Sequence, residues 1–580
     1  LAQPTVGQFV EKEELLMSRF NNKSTPVVGG RSGVQTTGET VVNHAGRVGY
    51  GRDVKGELFL LAASFMGGDD NFYEKSQDRY ERLQNLIANV VAEEGDDTTW
   101  LLNFVTWLRK DANLRTVAMV IAVETARTRL MTDKQGGNRD LINAALQRAD
   151  EPGEALAYWL SNYGKPIPWP IKNGIADAAI RLYNEFSFLK YGKNRNKSVS
   201  MKDVLRITRP TPGDAKQSAL FSYIIDPTPV PVFATEFVGP GLPVIAAREK
   251  LAGFPKERRR EILASPVGQA LLKEAGFTWE NLSEYLPGGM DAEAWELAIS
   301  NMNIMALIRN LRNFDEAGIN KLARNVVRAK INPQNVRDSK QLPFRWYQAY
   351  RATDSLHYVA DLEDALDLSL ENIPKLKGKT LVLVDMSGSM FQGNVSERSV
   401  VTYADAASLF GAALKLRNPD GVDLYQYGSN YHDLSLRYYS TKDHRPFAEY
   451  RPNERWTGVT KRIDLNVGSS VLRSMEKFQD MGGTQTQNAV AETITPEHDR
   501  VIIITDEQAF QSRVDYTRLG IPAGKSLYVW NLAGYKAGLV ESGKYKTHVF
   551  GGLNDAAFQM IPLLETGKSV GWPWEVKTNG

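Results

Sequence analysis

The residues in this chain best suited to chemistry are oxygen donors. Asp385-Met386-Ser387-Gly388-Ser389 puts a carboxylate and two hydroxyls into one short loop. Thr484 follows a Gly482-Gly483 pair, and Asp506 follows Ile502-Ile503-Ile504-Thr505. Carboxylate and hydroxyl oxygens are hard ligands, the kind Mg²⁺ selects. Taken alone, Asp-x-Ser-x-Ser also reads as a solvated turn with capping serines. The flanking residues add a second signal. Leu381 to Val384 and Ile502 to Ile504 are short apolar runs of the buried-strand type, so each carboxylate stands at a strand's carboxyl end.

The elements that must position these groups can be read outward from them. From near Lys375, strand-like and helical runs alternate. Strands are expected at Leu381, Val422 to Tyr427, Val501 to Thr505 and Ser526 to Trp530. Helices are expected over Val400 to Leu416, Ser470 to Phe478 and Asn554 to Leu564. Such alternation implies a doubly wound α/β sheet, which binds ligands at the carboxyl ends of its strands. The chain before it differs. Apolar residues at helical spacing run from Val54 to about residue 330, for example Leu58, Leu61 and Phe65, or Leu101, Phe104, Val105 and Leu108. Breaks fall at Pro152-Gly153, Pro166 to Pro170, Pro210 to Gly213 and Pro287-Gly288-Gly289. Helix following helix without strands implies an all-α, HEAT-like repeat array, although no clean repeat period is present. Residues 1 to about 50 read as an irregular arm or surface loops, and Asp226 to Val232 as an extended connector.

The 580 residues exceed one core, so two or three domains are expected. There is no cysteine, which excludes disulfides, thiolate zinc sites and cysteine nucleophiles. No apolar run approaches a membrane span, and Leu1-Ala2-Gln3-Pro4 does not open a signal peptide, so a cytoplasmic location is expected. His44, His357, His432, His444, His498 and His548 are scattered without zinc-hydrolase spacing, and no P-loop is present. Asp506-Glu507 alone does not make an acid/base pair. No catalytic residues are assigned, and the chain reads as a non-enzyme. The formal net charge of +2 conceals asymmetry. Lys165 to Arg209 carries about +7, Arg309 to Arg351 again about +7, and the part after Asp361 about −3. Basic faces attract phosphates and gain free energy from counterion release; single charge runs are otherwise solvated helix faces.

The three oxygen-bearing loops resemble the metal-ion-dependent adhesion site, or MIDAS, of von Willebrand factor A domains. That resemblance implies Mg²⁺ or another divalent cation held directly by Ser387, Ser389 and Thr484. Asp385 and Asp506 would act mostly through water, leaving a position open for an acidic protein ligand. The helical part is similar to the TROVE module of the Ro autoantigen family. The similarity lies in Leu58 to Phe65 with Gly67-Gly68, in Ile175-Ala176-Asp177, and in Leu182 to Glu185 with Lys190-Tyr191. Ser200 to Arg206, Met305 to Leu311 and Val326 to Pro333 extend it. Nearly the whole chain, from about residue 38 to 565, thus resembles a Ro protein of the bacterial type. The implied domains are an arm over 1–37, a TROVE helical-repeat ring over 38–370 and an A domain over 371–580.

By that resemblance, single-stranded 3′ ends of misfolded or immature non-coding RNAs would enter the central hole. Y-type RNA would bind the outer basic surface, and a 3′ exoribonuclease would join through RNA. The implied RNA surface comprises Lys172, Arg181, Lys190, Lys193, Arg195, Lys197, Lys202, Arg206 and Arg209, with Arg309, Arg312, Arg337, Lys340 and Arg345. The chain departs from the family at Met201 and Asn332, where histidines are usual, and Met201 would then pack against a base. Trp346, Tyr347 and Tyr350 lie among cations and suit base stacking; equally, they suit a last repeat helix with Trp346 and Tyr350 buried. The alternative overall reading is a Mg²⁺-dependent protein-interaction scaffold, basic only incidentally.

Overall fold

The computed structural model describes residues 33–575 except 44–47, 65–75, 113, 193–197, 228–240, 340–342, 354–355, 374, 396–400, 430–458, 467, 509–517, 544–545, 553–560, 563 and 566–571. It opens on an antiparallel hairpin, β1 (Thr36–Val42) and β2 (Val48–Arg52). The sequence reading had this region irregular. The physical reason is that β1 is short and mostly exposed and β2 is five residues broken by Gly49 and Gly51, so no clean apolar alternation marks them.

Helices follow to residue 369. The first half holds α1 (Val54–Ala63), α2 (Ser76–Glu94), α3 (Thr99–Lys110), α4 (Arg115–Met131), α5 (Asn138–Ala145), α6 (Glu151–Tyr163), α7 (Trp169–Leu182), α8 (Glu185–Tyr191), α9 (Met201–Thr208) and α10 (Ala215–Ile225). The second holds α11 (Pro243–Ala252), α12 (Arg259–Ala264), α13 (Pro266–Glu274), α14 (Trp279–Tyr285), α15 (Ala292–Ile299), α16 (Ile304–Ala317), α17 (Lys321–Lys330), α18 (Pro333–Asp338), α19 (Pro343–Ala352) and α20 (Val359–Ser369). Many starts are set by local polar chemistry. Asn184 with Ser187, Ser200 with Asp203, and Thr278 with Asn281 form capping boxes, and Asn303, Asn320 and Asn332 cap single-handed. Each such cap contributes about 1 kcal/mol. Glu185 of α8 accepts from the Val244 and Ile245 amides at 2.8 and 3.1 Å, so one helix caps another across the midpoint of the array.

The remainder is a six-stranded sheet in the order β5-β4-β3-β6-β7-β8, parallel except for edge strand β5. Its strands are β3 (Lys379–Asp385), β4 (Val422–Tyr427), β5 (Thr460–Arg462), β6 (His498–Thr505), β7 (Ser526–Asn531) and β8 (Thr547–Gly551). Helices α21 (Gly388–Gln392), α22 (Tyr403–Arg417), α23 (Val471–Met475) and α24 (Thr486–Thr493) connect them. The expected helix over Asn554 to Leu564 lies almost wholly outside the described residues.

Strand alternation ties this sheet to both ends of the helical array. Val382, Val384, Ile502, Ile504 and Trp530 point into a core shared with α11 to α20. Leu381, Leu383, Val501, Ile503 and Val529 point into a core shared with α1 to α10. Period-2 geometry thus assigns one face of the sheet to each half of the array. At the first end, Tyr50 exchanges backbone hydrogen bonds with Gly538, both at 2.9 Å, and α1 packs on β8. Trp572 and Trp574, stacked at 5.4 Å, pack there against Phe59, Trp100 and neighbouring rings of α3. At the other end, the Tyr347 hydroxyl reaches Asp405 at 3.2 Å, and Asp367 accepts from the Val471 amide at 3.1 Å. Array and sheet therefore form a closed circuit of contacts.

Candidate metal centre and basic surface

The strand order reverses between β3 and β6, and their carboxyl ends carry Asp385 and Asp506. Such switch points open the crevice in which doubly wound sheets bind ligands. Three backbone hydrogen bonds stitch the loops there. Gly388 N–H donates to the Gly482 carbonyl at 2.7 Å, Met481 N–H to Met386 at 2.8 Å, and Ser429 N–H to Met481 at 3.0 Å. The Gly428 turn runs so close that a Cβ there would lie 2.4 Å from the Met481 Cβ, so glycine is required. This stitching brings the Asp385–Ser389 loop to the Gly482–Thr484 loop.

Within the site, the Ser387 and Ser389 hydroxyls lie 3.3 Å apart. Asp385 Oδ1 accepts from the Ser387 amide at 3.0 Å, and Oδ2 from the Thr505 hydroxyl at 2.6 Å. The Tyr427 hydroxyl also donates to this carboxylate. Asp506 accepts from the Gln508 amide at 3.0 Å and from the Ser389 hydroxyl. Asp385, Ser387, Ser389, Thr484 and Asp506 are all buried. Burial raises the Asp385 carboxyl above its ordinary range. Burial, then the nearby Asp385 charge, raises that of Asp506. No cation ranks among the main groups acting on either. Two buried carboxylates beside hydroxyl donors, with no ion pair to a basic side chain among the described residues, fit a divalent cation by the chemistry of the donor set. Among the described residues no cluster of three or more His, Cys, Asp or Glu side chains is poised for a metal. Sequence reasoning missed Thr505 and Tyr427, which hold Asp385. Thr505 falls inside the quoted strand end, but nothing in the sequence distinguishes its role.

The two basic runs, similar in sequence, differ in structure. In the second, Arg312 pairs with Glu316 at 2.8 Å, Arg328 with Asp361 at 2.7 Å and Arg337 with Glu371 at 3.1 Å. Lys330 donates to the carbonyls of Ile299, Ser300 and Met302. Arg309 is exposed on α16, Lys340 lies outside the described residues, and Arg345 sits on α19. In the first run, Lys172, Arg181, Lys190, Lys202, Arg206 and Arg209 form no ion pair among the described residues. Arg181 instead donates to the carbonyls of Asn143 and Leu146, bridging α7 to α5. Lys190 rides over the Tyr191 ring. Arg206 and Arg209 are exposed and Lys202 half-buried. Lys193, Arg195 and Lys197 fall outside the described residues. Arg209 ends α9 in a left-handed conformation (φ 50°), so it leaves the helix that Lys202 and Arg206 share.

Burial overturns the stacking expected of Met201 and decides between the two readings of Trp346, Tyr347 and Tyr350. Met201 is buried among apolar side chains of the first core, because α9 turns Met201, Val204 and Leu205 inward, and so it does not face a base. Trp346 and Tyr347 are likewise fully buried, and Tyr350 is half-buried; the reading of a last, packed repeat helix holds instead. Asn332 caps α18, accepting from the Asn335 amide at 2.9 Å.

Comparison with known proteins gives an independent view. The TROVE domain family profile matches residues 265–385. The fold is similar to the crystal structure of the Deinococcus radiodurans RO (RSR) protein, with a TM-score of 0.57 and 16% sequence identity, covering 89% of this chain and 100% of that one. No curated protein matches the sequence. The chain is thus similar to the TROVE family over residues 265–385 and shares the fold of a bacterial Ro protein along nearly its whole length.

Proposed function

We propose that this protein binds RNA, taking single-stranded 3′ ends of misfolded or immature non-coding RNAs into the opening of its ring and Y-type RNA on its outer surface. The observation that carries the reading is the contrast between the two basic runs. Among the described residues the cations around α9 form no ion pair, whereas Arg312, Arg328 and Arg337 of the second run do. Cations already held in ion pairs must give up those partners before meeting phosphate, so the first run has the greater capacity for counterion release. The TROVE match and the Ro fold support an RNA-binding chain. Binding, not catalysis, is the proposed role. No helix among the described residues is long and apolar enough to cross a membrane.

At the sheet, we propose that Ser387, Ser389 and Thr484 hold Mg²⁺, with Asp385 and Asp506 behind them. The bound ion would supply an electrophilic position for an acidic side chain of a protein partner. The chain's own residues orient the hydroxyls and keep both carboxylates buried. Sequencing RNA that co-purifies with the full chain tests the main proposal. Enrichment of non-coding RNAs with single-stranded 3′ tails is expected, and an RNA profile matching the total cellular pool would contradict it.

A further inference from the structure

We infer that the turn leading into α7 carries a base-stacking platform for single-stranded RNA, with Trp169 as its stacking face. This rests on the RNA-binding reading and locates one contact within it. Tryptophan is normally buried in folded proteins, yet Trp169 is 73 % exposed, the most exposed tryptophan among the described residues. It is held out between Pro168 and Pro170, in a backbone that both rings restrict, so little freedom is lost when a ligand meets it. The Lys172 ammonium lies 5.5 Å from the centre of its ring. One turn back in the chain, the Arg127 guanidinium lies 4.2 Å from the centre of the half-buried Tyr163 ring. Lys165, between Tyr163 and Trp169 in the sequence, is exposed.

The occupant is argued from charge. From Ala155 to Ala176 the sequence contains no acidic residue and two lysines, Lys165 and Lys172. An indole beside the Lys172 ammonium and free of carboxylates along its own segment suits a polyanion with flat faces. Bases stack on the ring while phosphates meet the lysines. An apolar protein ligand would use the indole but gain nothing from the cations. The platform belongs to the basic run that holds α9, since α9 packs directly on α7.

The test is filter binding of the full chain to a single-stranded oligoadenylate with a free 3′ hydroxyl. An abasic ribose-phosphate oligomer of equal length serves as control. Trp169→Ala should weaken oligoadenylate binding at least about fivefold, leave its salt slope unchanged and leave the abasic oligomer unaffected. Trp169→Phe should restore most of the loss, and Lys172→Ala should lower the slope instead. If wild type binds oligoadenylate and Trp169→Ala binds it equally, the platform is refuted while the RNA reading stands. If wild type binds no RNA, both fall. A Trp169→Ala defect equal on both oligomers would also refute stacking.

Discussion

The Arg52 guanidinium donates to the Glu507 carboxylate in a fully buried ion pair, one residue beyond Asp506 of the candidate metal centre. Glu507 adopts a left-handed backbone (φ 62°), and its carboxylate also accepts from Asn531 and from the Leu539 amide at 3.0 Å. Its own amide donates to the Thr505 hydroxyl at 3.0 Å, and that hydroxyl donates to Asp385. One short hydrogen-bonded path therefore joins the oxygen-rich loop to the hairpin that begins the helical array.

Breaking a buried pair from one side leaves an uncompensated charge. Glu507→Ala should therefore cost about 3–5 kcal/mol and loosen the seam between β2 and the sheet. Hydrogen exchange should rise first at Tyr50, whose amide is bonded to Gly538. Unchanged exchange at Tyr50 in a destabilised variant would place the weakness elsewhere.

Asp385→Ala should abolish Mg²⁺ binding while leaving RNA binding by the helical part intact. The sheet core is built from Leu, Val, Ile and Trp side chains that do not depend on the ion. Calorimetric titration with Mg²⁺ and an RNA gel shift on the same folded variant decide this. Loss of RNA affinity would make the sheet domain part of the RNA site.

His548 gives a pH signature. It is buried on β8, stacked 5.3 Å from Tyr528 and near Arg518, and burial followed by the Arg518 charge lowers its pKa to about 4. Its folded pKa lies below the ordinary value, so between those two pH values the unfolded chain binds a proton that the folded chain does not. Stability is then lost as pH falls from about 6.5 toward 4, by roughly 3 kcal/mol from this group. Comparing denaturation midpoints of wild type and His548→Phe at pH 7 and pH 5 isolates the effect. The gap should shift in favour of the variant at pH 5; an unchanged gap would mean the ring is protonated or solvated in the fold.

What was legible in the sequence follows from how local each signal is. β3, β4, β6 and β7 were readable because short Val-, Leu- and Ile-rich runs report burial directly. The carboxylates at Asp385 and Asp506 were readable because they end two of those runs. The β1–β2 hairpin was not, since Thr36 and Tyr50 acquire meaning only against Ser542 and Gly538, some 500 residues away. The same distance hid Arg52 as the counter-ion of Glu507. For Trp346, Tyr347 and Tyr350 the sequence left base stacking and a packed last repeat helix equally open. Burial, which decides whether a ring can meet a base, depends on the packing of α19 against α16 and α20. Likewise the two basic runs carry similar charge, and only the fold shows which cations are already paired.

The most direct test of the account is RNA filter binding at several salt concentrations, with wild type and the triple variant Lys202→Ala, Arg206→Ala, Arg209→Ala. For wild type, the logarithm of affinity for a single-stranded 3′ tail should fall linearly with the logarithm of salt. The triple variant should bind more weakly, with a slope reduced by up to about one unit per lost phosphate contact. Affinity and slope unchanged by the three substitutions, or wild-type binding indifferent to salt, would contradict the assignment of this basic face to RNA.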